Sequence, residues 1–312
     1  MSPMPFSFDA AATTTIAAGP APSALAHAVV GLGRFGSTHA RKLAGLPGFH
    51  LRAVVDPFAS RPQDPALGSV PLLRHVDELP SDIASATVAT SDAAHAGVAI
   101  QLMARGCHVL VEKPLCLTAS DGARMVQTAR QQGVTLCTGH IERFNPHWHD
   151  ARRAELREAA RRQQGRPDPF LHFRRSSSRA GVAPDSVLDL MVHDLDLMAW
   201  LCAIPNGDAL ELIDRRVSAS VVCARVQIGG LVAVFESGFG ATAPEAVMQV
   251  QTESGPLVLD LRCPAAGRGA GMDPLCRQYM AFSGAIRGEP SPIATGDDGL
   301  AAVVRACRIL EA

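Results

Sequence analysis

The chain has 312 residues, 47% of them hydrophobic and 19% charged, and its formal net charge is −1 at pH 7. A chain of this length exceeds what one hydrophobic core usually organises, so we expect two domains. The near-zero charge gives no electrostatic reason to expect a nucleic acid or an anionic membrane as a partner. In addition, no apolar run approaches the roughly 18 residues that a membrane span needs.

The eight cysteines lie apart, without a C-x-x-C pair, and most fall inside apolar runs. This pattern is typical of small buried thiols in a reducing compartment, so we expect a cytoplasmic protein without disulfides. His147-Trp148-His149 comes nearest to a metal cluster. Because no cysteine or carboxylate joins it at ligand spacing, we expect no metal site.

Residues 1–26 are rich in Ala, Thr, Ser and Pro with a single charge, and they predict a disordered tail. Residues 27–141 then alternate between short apolar strands and amphipathic helices. The predicted strands are 28–30, 51–55, 86–90, 107–111 and 135–138, and the predicted helices are 34–46, 76–79, 93–105 and 119–132. This alternation predicts an α/β domain whose doubly wound parallel sheet is covered on both faces.

Residues 142–312 follow a different pattern. The predicted elements are a charged helix at 150–166, an apolar helix at 187–201, strands at 171–175, 217–228, 231–239, 247–252 and 257–261, and closing helices at 274–288 and 297–310. Because short turns join several consecutive strands, these strands are expected to be antiparallel. The second domain is therefore predicted to be α+β.

The turn after the first strand carries the motif Gly31-x-Gly33-x-x-Gly36. Glycines at this spacing allow a sharp turn and a close approach of a pyrophosphate to the start of the next helix. The motif alone is weak, but here a strand precedes it and a helix follows it. Asp56 ends the second strand, 20 residues after Gly36, where its carboxylate would accept hydrogen bonds from the adenosine ribose. The alternative is that Asp56 only shapes the turn before Pro57.

Two further motifs carry candidate chemistry. Glu112-Lys113-Pro114 follows a predicted parallel strand, at the sheet edge where ligands bind in doubly wound folds. Taken alone, the tripeptide favours a surface loop lysine at position 113. In the apolar helix, Asp189, His193 and Asp196 form one polar stripe, and Asp189 could orient His193 as a general base or acid. The alternative is an Asp–His pair that only satisfies itself.

These motifs, in this order, resemble the Gfo/Idh/MocA family, named for glucose-fructose oxidoreductase, inositol dehydrogenase and a rhizopine catabolism protein. The resemblance runs from about residue 27 to the C-terminus and includes Pro274-Leu275 and Gly296-Asp297-Asp298-Gly299. It implies a Rossmann domain followed by a domain with an open, mainly antiparallel sheet that often forms an oligomer interface. It also implies hydride transfer between NAD(P) and a sugar or polyol, with Lys113, Asp189 and His193 as the catalytic residues.

The segment Gly139-His-Ile-Glu-Arg143-Phe-Asn145-Pro146 resembles members of this family that oxidise UDP-N-acetylglucosamine at C3, and so does Arg179. One departure is that the usual Thr-Pro after the fourth strand is Thr90-Ser91, with His95 following, which affects the expected cofactor loop. The expected cofactor-binding residues are Gly31, Gly33, Arg34, Phe35, Gly36, Asp56, Thr90, His95, Glu112 and Lys113.

The sequence therefore predicts an NAD-dependent dehydrogenase acting on a ring hydroxyl of a nucleotide sugar, as a homodimer or homotetramer. Arg143 and Arg179 are expected to bind the diphosphate, and Asn145 and His193 the sugar. The alternatives are that Arg143 pairs with Glu142 and that Arg179 is a solvated loop residue. At the level of function, the alternatives are a dehydrogenase of a free sugar, polyol or inositol, and a cofactor-binding regulatory protein without catalysis.

Overall fold

The structure, a computed structural model, describes residues 24–59, 65–252, 255–262 and 272–311. Residues 1–23 of the tail predicted at 1–26 lie outside the described residues. Its last two residues correct the prediction, because Leu25 and Ala26 pair with Phe49 and His50 in the first strand. No helix in the described ranges is long and apolar enough to cross a membrane.

The elements follow one another in two runs. The first run is β1 (Leu25–Val30), α1 (Arg34–Leu43), β2 (Phe49–Val55), β3 (Leu72–Leu73), β4 (Ser85–Val88), α2 (His95–Ala104), β5 (His108–Val111), α3 (Ala119–Gln132) and β6 (Leu136–Thr138). The second run is α4 (Asp150–Gln163), β7 (Leu171–Ser177), α5 (Val192–Cys202), β8 (Glu211–Val217), β9 (Val221–Ile228), β10 (Leu231–Phe239), β11 (Glu245–Thr252), β12 (Gly255–Asp260), α6 (Pro274–Ile286), β13 (Ala294–Thr295) and α7 (Gly296–Leu310).

The first sheet has the strand order β13-β6-β5-β4-β1-β2-β3, and strands β1 to β6 pair in parallel. The chain order reverses between β1 and β4, which is the switch point where doubly wound sheets bind ligands. Helix α3 ends at Gly133 in the left-handed conformation, as the sequence indicated. The predicted α/β Rossmann architecture is confirmed.

The edge strand β13 modifies the predicted division of the chain. Ala294 and Thr295 pair antiparallel with Thr138 and Cys137 of β6, and α7 then packs on α3. The sequence assigned all of 142–312 to the second domain. The structure instead returns the C-terminal segment to the first sheet, because this pairing covers the β6 edge.

The second sheet has the strand order β12-β11-β7-β10-β9-β8. Its pairs are antiparallel except β7 with β10, so the predicted mainly antiparallel sheet is confirmed. The single strand predicted at 217–228 is wrong. Val217 ends β8 and Val221 begins β9, because the Ser218 hydroxyl accepts hydrogen bonds from the backbone N–H groups of Ser220 and Val221 and forms a turn.

One face of the second sheet carries the largest apolar core of the described residues. Phe173 of β7 and Phe235 of β10 stack with ring centroids 5.2 Å apart, and both are fully buried. Leu195 and Met198 of α5 belong to the same cluster. Helix α5 is therefore fixed against the sheet by its apolar side chains, whereas its Asp194 and Asp196 form ion pairs with Arg175 and Arg143.

Candidate active site

The glycine turn between β1 and α1 fits a dinucleotide. Gly31 has φ +94°, and a Cβ there would lie 2.5 Å from the carbonyl oxygen of Ala89. A Cβ at Gly36 would overlap the carbonyl of Gly31, whereas one at Gly33 would meet nothing within 4 Å. No side chain caps the start of α1. The turn therefore presents uncapped N–H groups to open space, which suits a pyrophosphate.

Asp56, at the end of β2, lies directly beside this turn. Its carboxylate accepts hydrogen bonds from the backbone N–H groups of Leu32 (2.7 Å), Phe58 (2.8 Å) and Ala59 (2.8 Å). Partial burial works in the opposite direction, but these N–H groups and the Arg74 guanidinium lower the pKa of Asp56 below its ordinary value. The carboxylate is therefore anionic and fixed in place. It shapes the turn, as the alternative proposed, and its role toward a ribose stays a prediction.

Lys113, after β5, projects into a cleft of about 370 Å³ at the carboxyl ends of β4 and β5. Its Nζ donates to the backbone oxygen of Asp189 at 2.7 Å and to the Asp189 carboxylate at 3.0 Å. The other carboxylate oxygen accepts from Arg179, whose side chain is 54% exposed. The structure thus brings together Lys113, Asp189 and Arg179, three residues that the sequence places in separate segments.

The expected contact between Asp189 and His193 is wrong. Asp189 lies in a π-helical turn, Val187–Met191, that precedes α5. Its two carboxylate oxygens bind Lys113 and Arg179, so the carboxylate has cationic partners rather than the imidazole. Asp189 therefore orients the lysine and not the histidine.

His193 lies in the first turn of α5, half-buried, and its Nδ1 has no hydrogen-bond partner among the described residues. Its ring meets the edge of His140, with the ring centroids 6.2 Å apart. Burial, followed by the positive charges of Lys113 and Arg175 and then by His140, lowers the pKa of His193 well below its ordinary value. The imidazole is therefore neutral near pH 7 and able to accept a proton.

The remaining expected cofactor residues lie around the same opening. Phe35 is 53% exposed, and the Arg34 guanidinium carbon is 4.6 Å from its ring centroid. Phe35, Thr90 and His95 line the cleft together with Lys113. His95 Nδ1 is hydrogen bonded to the backbone oxygen of Pro114 at 2.8 Å, which ties α2 to the segment that carries the lysine.

Glu112 ends a chain of hydrogen-bonded side chains that runs through the first domain. This buried polar chain consists of His27, Ser85, Thr87, Tyr279, His39 and Glu112. The Tyr279 hydroxyl is bonded to Thr87 at 2.8 Å and to His39 at 2.7 Å, and His39 Nε2 donates to the Glu112 carboxylate at 2.8 Å. Glu112 also accepts from the backbone N–H of Lys113. In the described structure this carboxylate positions the lysine segment.

Arg143 and Asn145 do not reach the cleft. Arg143 is 7% exposed, and its guanidinium donates to Asp196 at 2.9 and 2.6 Å and to Asp298 at 3.3 Å. Asn145 donates to the backbone oxygen of Leu261 at 2.8 Å. The predicted substrate contacts of both residues are therefore corrected: a buried guanidinium needs carboxylate partners, and these are internal ones, though not the Glu142 that the alternative named.

The cleft contains residues that the sequence analysis missed. Asp185 and Leu188 line it, and His140 stands behind His193. His140 lies two residues after the end of β6, so its position after a parallel strand was a signal that could have identified it. Asp185 precedes Asp189 by four residues, the spacing of one helical face.

Residues 25–140 match the family model described as "Oxidoreductase family, NAD-binding Rossmann fold", of the Gfo/Idh/MocA group. Over these residues, which make up the first domain, the chain is similar to the Gfo/Idh/MocA oxidoreductase family. The resemblance inferred from the motifs is confirmed, and so is the expectation that the first domain is an NAD-binding Rossmann domain of this family.

Three curated relatives of this family show how far the sequence similarity extends. UDP-N-acetylglucosamine 3-dehydrogenase of Acidithiobacillus ferrooxidans is 29% identical over 55% of this chain and 53% of the relative. The scyllo-inositol 2-dehydrogenase (NAD(+)) of Bacillus subtilis is 29% identical over 56% and 53%. The 1,5-anhydro-D-fructose reductase of Ensifer adhaerens is 28% identical over 74% and 78%. The match thus spans about half the length of the first two.

Solved structures of Gfo/Idh/MocA relatives cover nearly the whole chain. The UDP-N-acetylglucosamine 3-dehydrogenase of Acidithiobacillus ferrooxidans superposes with a TM-score of 0.74 and 24% identity, covering 91% of this chain and 96% of that one. A myo-inositol dehydrogenase of Lactobacillus casei, solved with NAD(H) and myo-inositol, gives 0.72 and 18%, with 92% and 95% covered. At these identities the likeness shows a shared fold, both domains included.

Proposed function

We propose that this chain is an NAD-dependent dehydrogenase that oxidises a ring hydroxyl of a nucleotide sugar, with C3 of UDP-N-acetylglucosamine as the expected position. The observation that carries the proposal is the placement of Lys113. Its Nζ is held by Asp189 in an open cleft, beside a neutral His193 and next to the glycine turn. A cation whose charge acts on a nearby neutral base is what removal of a hydroxyl proton requires.

The chain's residues divide the chemistry as follows. The glycine turn and Asp56 hold the dinucleotide, and bound NAD supplies the hydride-accepting nicotinamide. Lys113 donates a hydrogen bond to the reacting oxygen and stabilises the negative charge that develops there. His193 accepts the hydroxyl proton on a ring nitrogen. Asp189 holds Lys113 in place through its backbone oxygen and its carboxylate.

Substrate choice rests on Arg179 and on the curated relatives. Arg179 lines the cleft, is more than half exposed, and stacks over Phe239 with its guanidinium carbon 4.6 Å from the ring centroid. An exposed guanidinium can form two parallel hydrogen bonds with a phosphate, as a nucleotide sugar would need. The relative named UDP-N-acetylglucosamine 3-dehydrogenase supports this choice, whereas the relatives named inositol dehydrogenases support a free polyol.

The test is turnover of purified chain with NAD, followed through the absorbance of the reduced nicotinamide. We expect UDP-N-acetylglucosamine to be oxidised with a higher kcat/KM than myo-inositol or a free hexose. Arg179→Ala should raise KM for the UDP-sugar roughly tenfold or more and leave KM for NAD unchanged. The matched control is Arg174→Ala, which also breaks an exposed Arg–carboxylate pair, with Glu245, but outside the cleft.

Two results would decide against parts of the proposal. Efficient oxidation of myo-inositol or a hexose without any response to UDP-sugars would replace the nucleotide sugar with a free one. If Arg179→Ala lowered kcat and left KM for the UDP-sugar unchanged, Arg179 would act by holding Asp189 rather than by binding the diphosphate.

The proposal also includes the cytoplasmic location and the homo-oligomer expected from the sequence. The seven described cysteines are all free thiols, as suits a reducing compartment. On the second sheet, Ile213, Val217 and Val258 are 47–59% exposed. These exposed apolar side chains lie on the two edge strands, β8 and β12, and suit burial against a second copy. Light scattering of the purified protein should therefore give a mass of two or four chains.

A further inference from the structure

A second cavity lies between α4, α5 and α7, away from the cleft. We call it the arginine cavity. It has a volume of about 390 Å³, and the residues that line it include Arg143, Arg157, Trp200, Ile204, Asn206 and Arg305. It shares no lining residue with the cleft around Lys113. Its volume lies in the range of roughly 300–1,000 Å³ that is typical of small-molecule sites.

The charges around the arginine cavity do not balance. Three guanidinium groups line it, against the carboxylates of Asp196 and Asp298. Both carboxylates already pair with Arg143, and Asp298 also accepts from Asn206 at 2.8 Å. The surplus positive charge therefore lies on the other two arginines.

Arg305 is the buried member of this pair, with 2% of its surface exposed. Its Nη2 donates to the backbone oxygens of Pro205 (2.9 Å) and Asp208 (3.4 Å). Its Nε is buried and has no hydrogen-bond partner, and no carboxylate lies within ion-pair distance among the described residues. Burial lowers the pKa of Arg305 despite the more distant acids. A buried cation in this condition is costly unless an anion joins it.

Arg157 approaches the same cavity from α4. Its neighbours on that helix, Arg153 and Arg161, form ion pairs with Asp150 and Glu158. Arg157 has no ion pair within the described ranges, and its Nε is buried without a hydrogen-bond partner. Two unpaired guanidinium groups thus face one cavity from different helices, and arginine is the side chain best suited to bind a phosphate or a carboxylate.

One side of the wall is apolar. Trp200, Ala203 and Ile204 line the side next to the C-terminal end of α5. A cavity with cationic side chains and one apolar side suits a ligand with one anionic group on a small organic body rather than a solvated ion alone.

We propose that the arginine cavity binds a small metabolite through a phosphate or carboxylate group, with Arg157 and Arg305 as the cationic ligands and Trp200 against the organic part. This site is separate from the cleft of the proposed function and does not depend on it. An oxyanion in this cavity neutralises the excess positive charge and accepts hydrogen bonds from the guanidinium N–H groups that lack partners.

The first experiment is calorimetric titration of the full chain with sodium phosphate and, in a second arm, with sodium acetate, at constant ionic strength maintained with sodium chloride. Saturating NAD is present so that the glycine turn, another oxyanion site, is filled. We expect saturable binding of phosphate, of acetate or of both, with millimolar or tighter affinity. The arm that binds identifies the anionic group. Absence of saturable binding in both arms overturns the proposal.

Variants tie the binding to the cavity. Arg157→Gln should weaken it by about tenfold or more, because a charged hydrogen-bond donor is lost. The matched control Arg161→Gln, on the same helix but exposed and paired with Glu158, should change it less than about twofold. Arg305→Lys retains the charge without the planar fork and should also weaken binding. Unchanged affinity in Arg157→Gln and Arg305→Lys, with both variants folded by circular dichroism, overturns the proposal.

Fluorescence provides a separate readout. The chain has two tryptophans, so Trp148→Phe leaves Trp200 as the sole one. Titration of this variant with the anion that bound in the calorimeter should change the Trp200 emission at the same midpoint. Calorimetric binding without any change in this emission would place the anion elsewhere and would overturn the assignment.

Discussion

The cleft and the buried polar chain contain the same kinds of side chain but differ in what those side chains face. Along the buried polar chain, His27, Tyr279 and Glu112 each bond to other groups of the protein, and His27 and Tyr279 are fully buried. In the cleft, Lys113 and Arg179 both bind Asp189 yet face an open cavity. Polar groups that satisfy each other in the interior hold the fold together, whereas polar groups that also face a cavity can act on a ligand.

The two regions meet at adjacent residues. Glu112 closes the buried polar chain and also lines the cleft beside Lys113, and the Glu112 carboxylate accepts a hydrogen bond from the Lys113 N–H at 3.2 Å. Substitutions on the two sides of this junction should therefore separate stability from chemistry.

The largest effect is expected from Lys113→Met. Loss of the cation that stabilises the developing charge should lower kcat by roughly 10²-fold or more, with NAD still bound. The matched control is Lys42→Met, which removes the other lysine of the chain, also paired with an aspartate, Asp273, but outside the cleft. Steady-state kinetics and NAD titration of both variants measure the difference. Near-normal kcat in Lys113→Met would remove this residue from the mechanism.

His193→Asn should lower kcat by roughly 10²-fold, because Asn cannot accept the proton. Since burial and the charge of Lys113 lower the pKa of His193, its neutral form persists below pH 6.5. Wild-type kcat should therefore stay level as the pH falls through 6.5. The loss of activity caused by protonation of His193 should begin only at a lower pH. His172→Asn, partly exposed on the second sheet, is the control. An acid limb near 6.5 that disappears in His193→Asn would contradict the low pKa.

On the other side of the junction, Tyr279→Phe should act on stability. The ring still fits, but Thr87 and His39 each lose a buried partner, so the free energy of unfolding should fall by about 1–3 kcal/mol. Urea unfolding measures this change. In the folded variant, kcat should change far less than in Lys113→Met. A fall in kcat of similar size would show that the buried polar chain takes part in the chemistry.

The smallest expected effect concerns pH. Burial, and then the charge of His39, lowers the pKa of His27 to about 3. Below its ordinary pKa of 6.5, the unfolded chain binds a proton at His27 that the folded chain does not, so stability falls as the pH drops from 6.5 toward 3. Between pH 7 and 5.5 this contributes about 1 kcal/mol. His27→Gln should reduce the measured loss by that amount, whereas His50→Gln, at an exposed position of β2, should not. Equal losses in both variants would contradict the assignment.

The local elements followed closely from the sequence. The helix predicted at 119–132 matches α3 at both ends, and the strand predicted at 231–239 matches β10. These segments have a threonine cap, a closing glycine or a Gly-Gly turn at their limits, which are short-range signals. The prediction of one strand across 217–228 was wrong because Ser218 forms a turn, and the neighbouring residues give no sequence signal for that turn.

The sequence by itself determined the glycine turn, the two-domain order and the residue types of the cleft, because periodicity, turn chemistry and motif spacing are local properties. Only the tertiary structure decided their partners. Asp189 binds Lys113 and Arg179 instead of His193, and Arg143 binds Asp196 and Asp298 away from the cleft. Which cation meets which carboxylate depends on packing between helices and strands far apart in the chain, and a buried charge takes the partner that this packing brings to it.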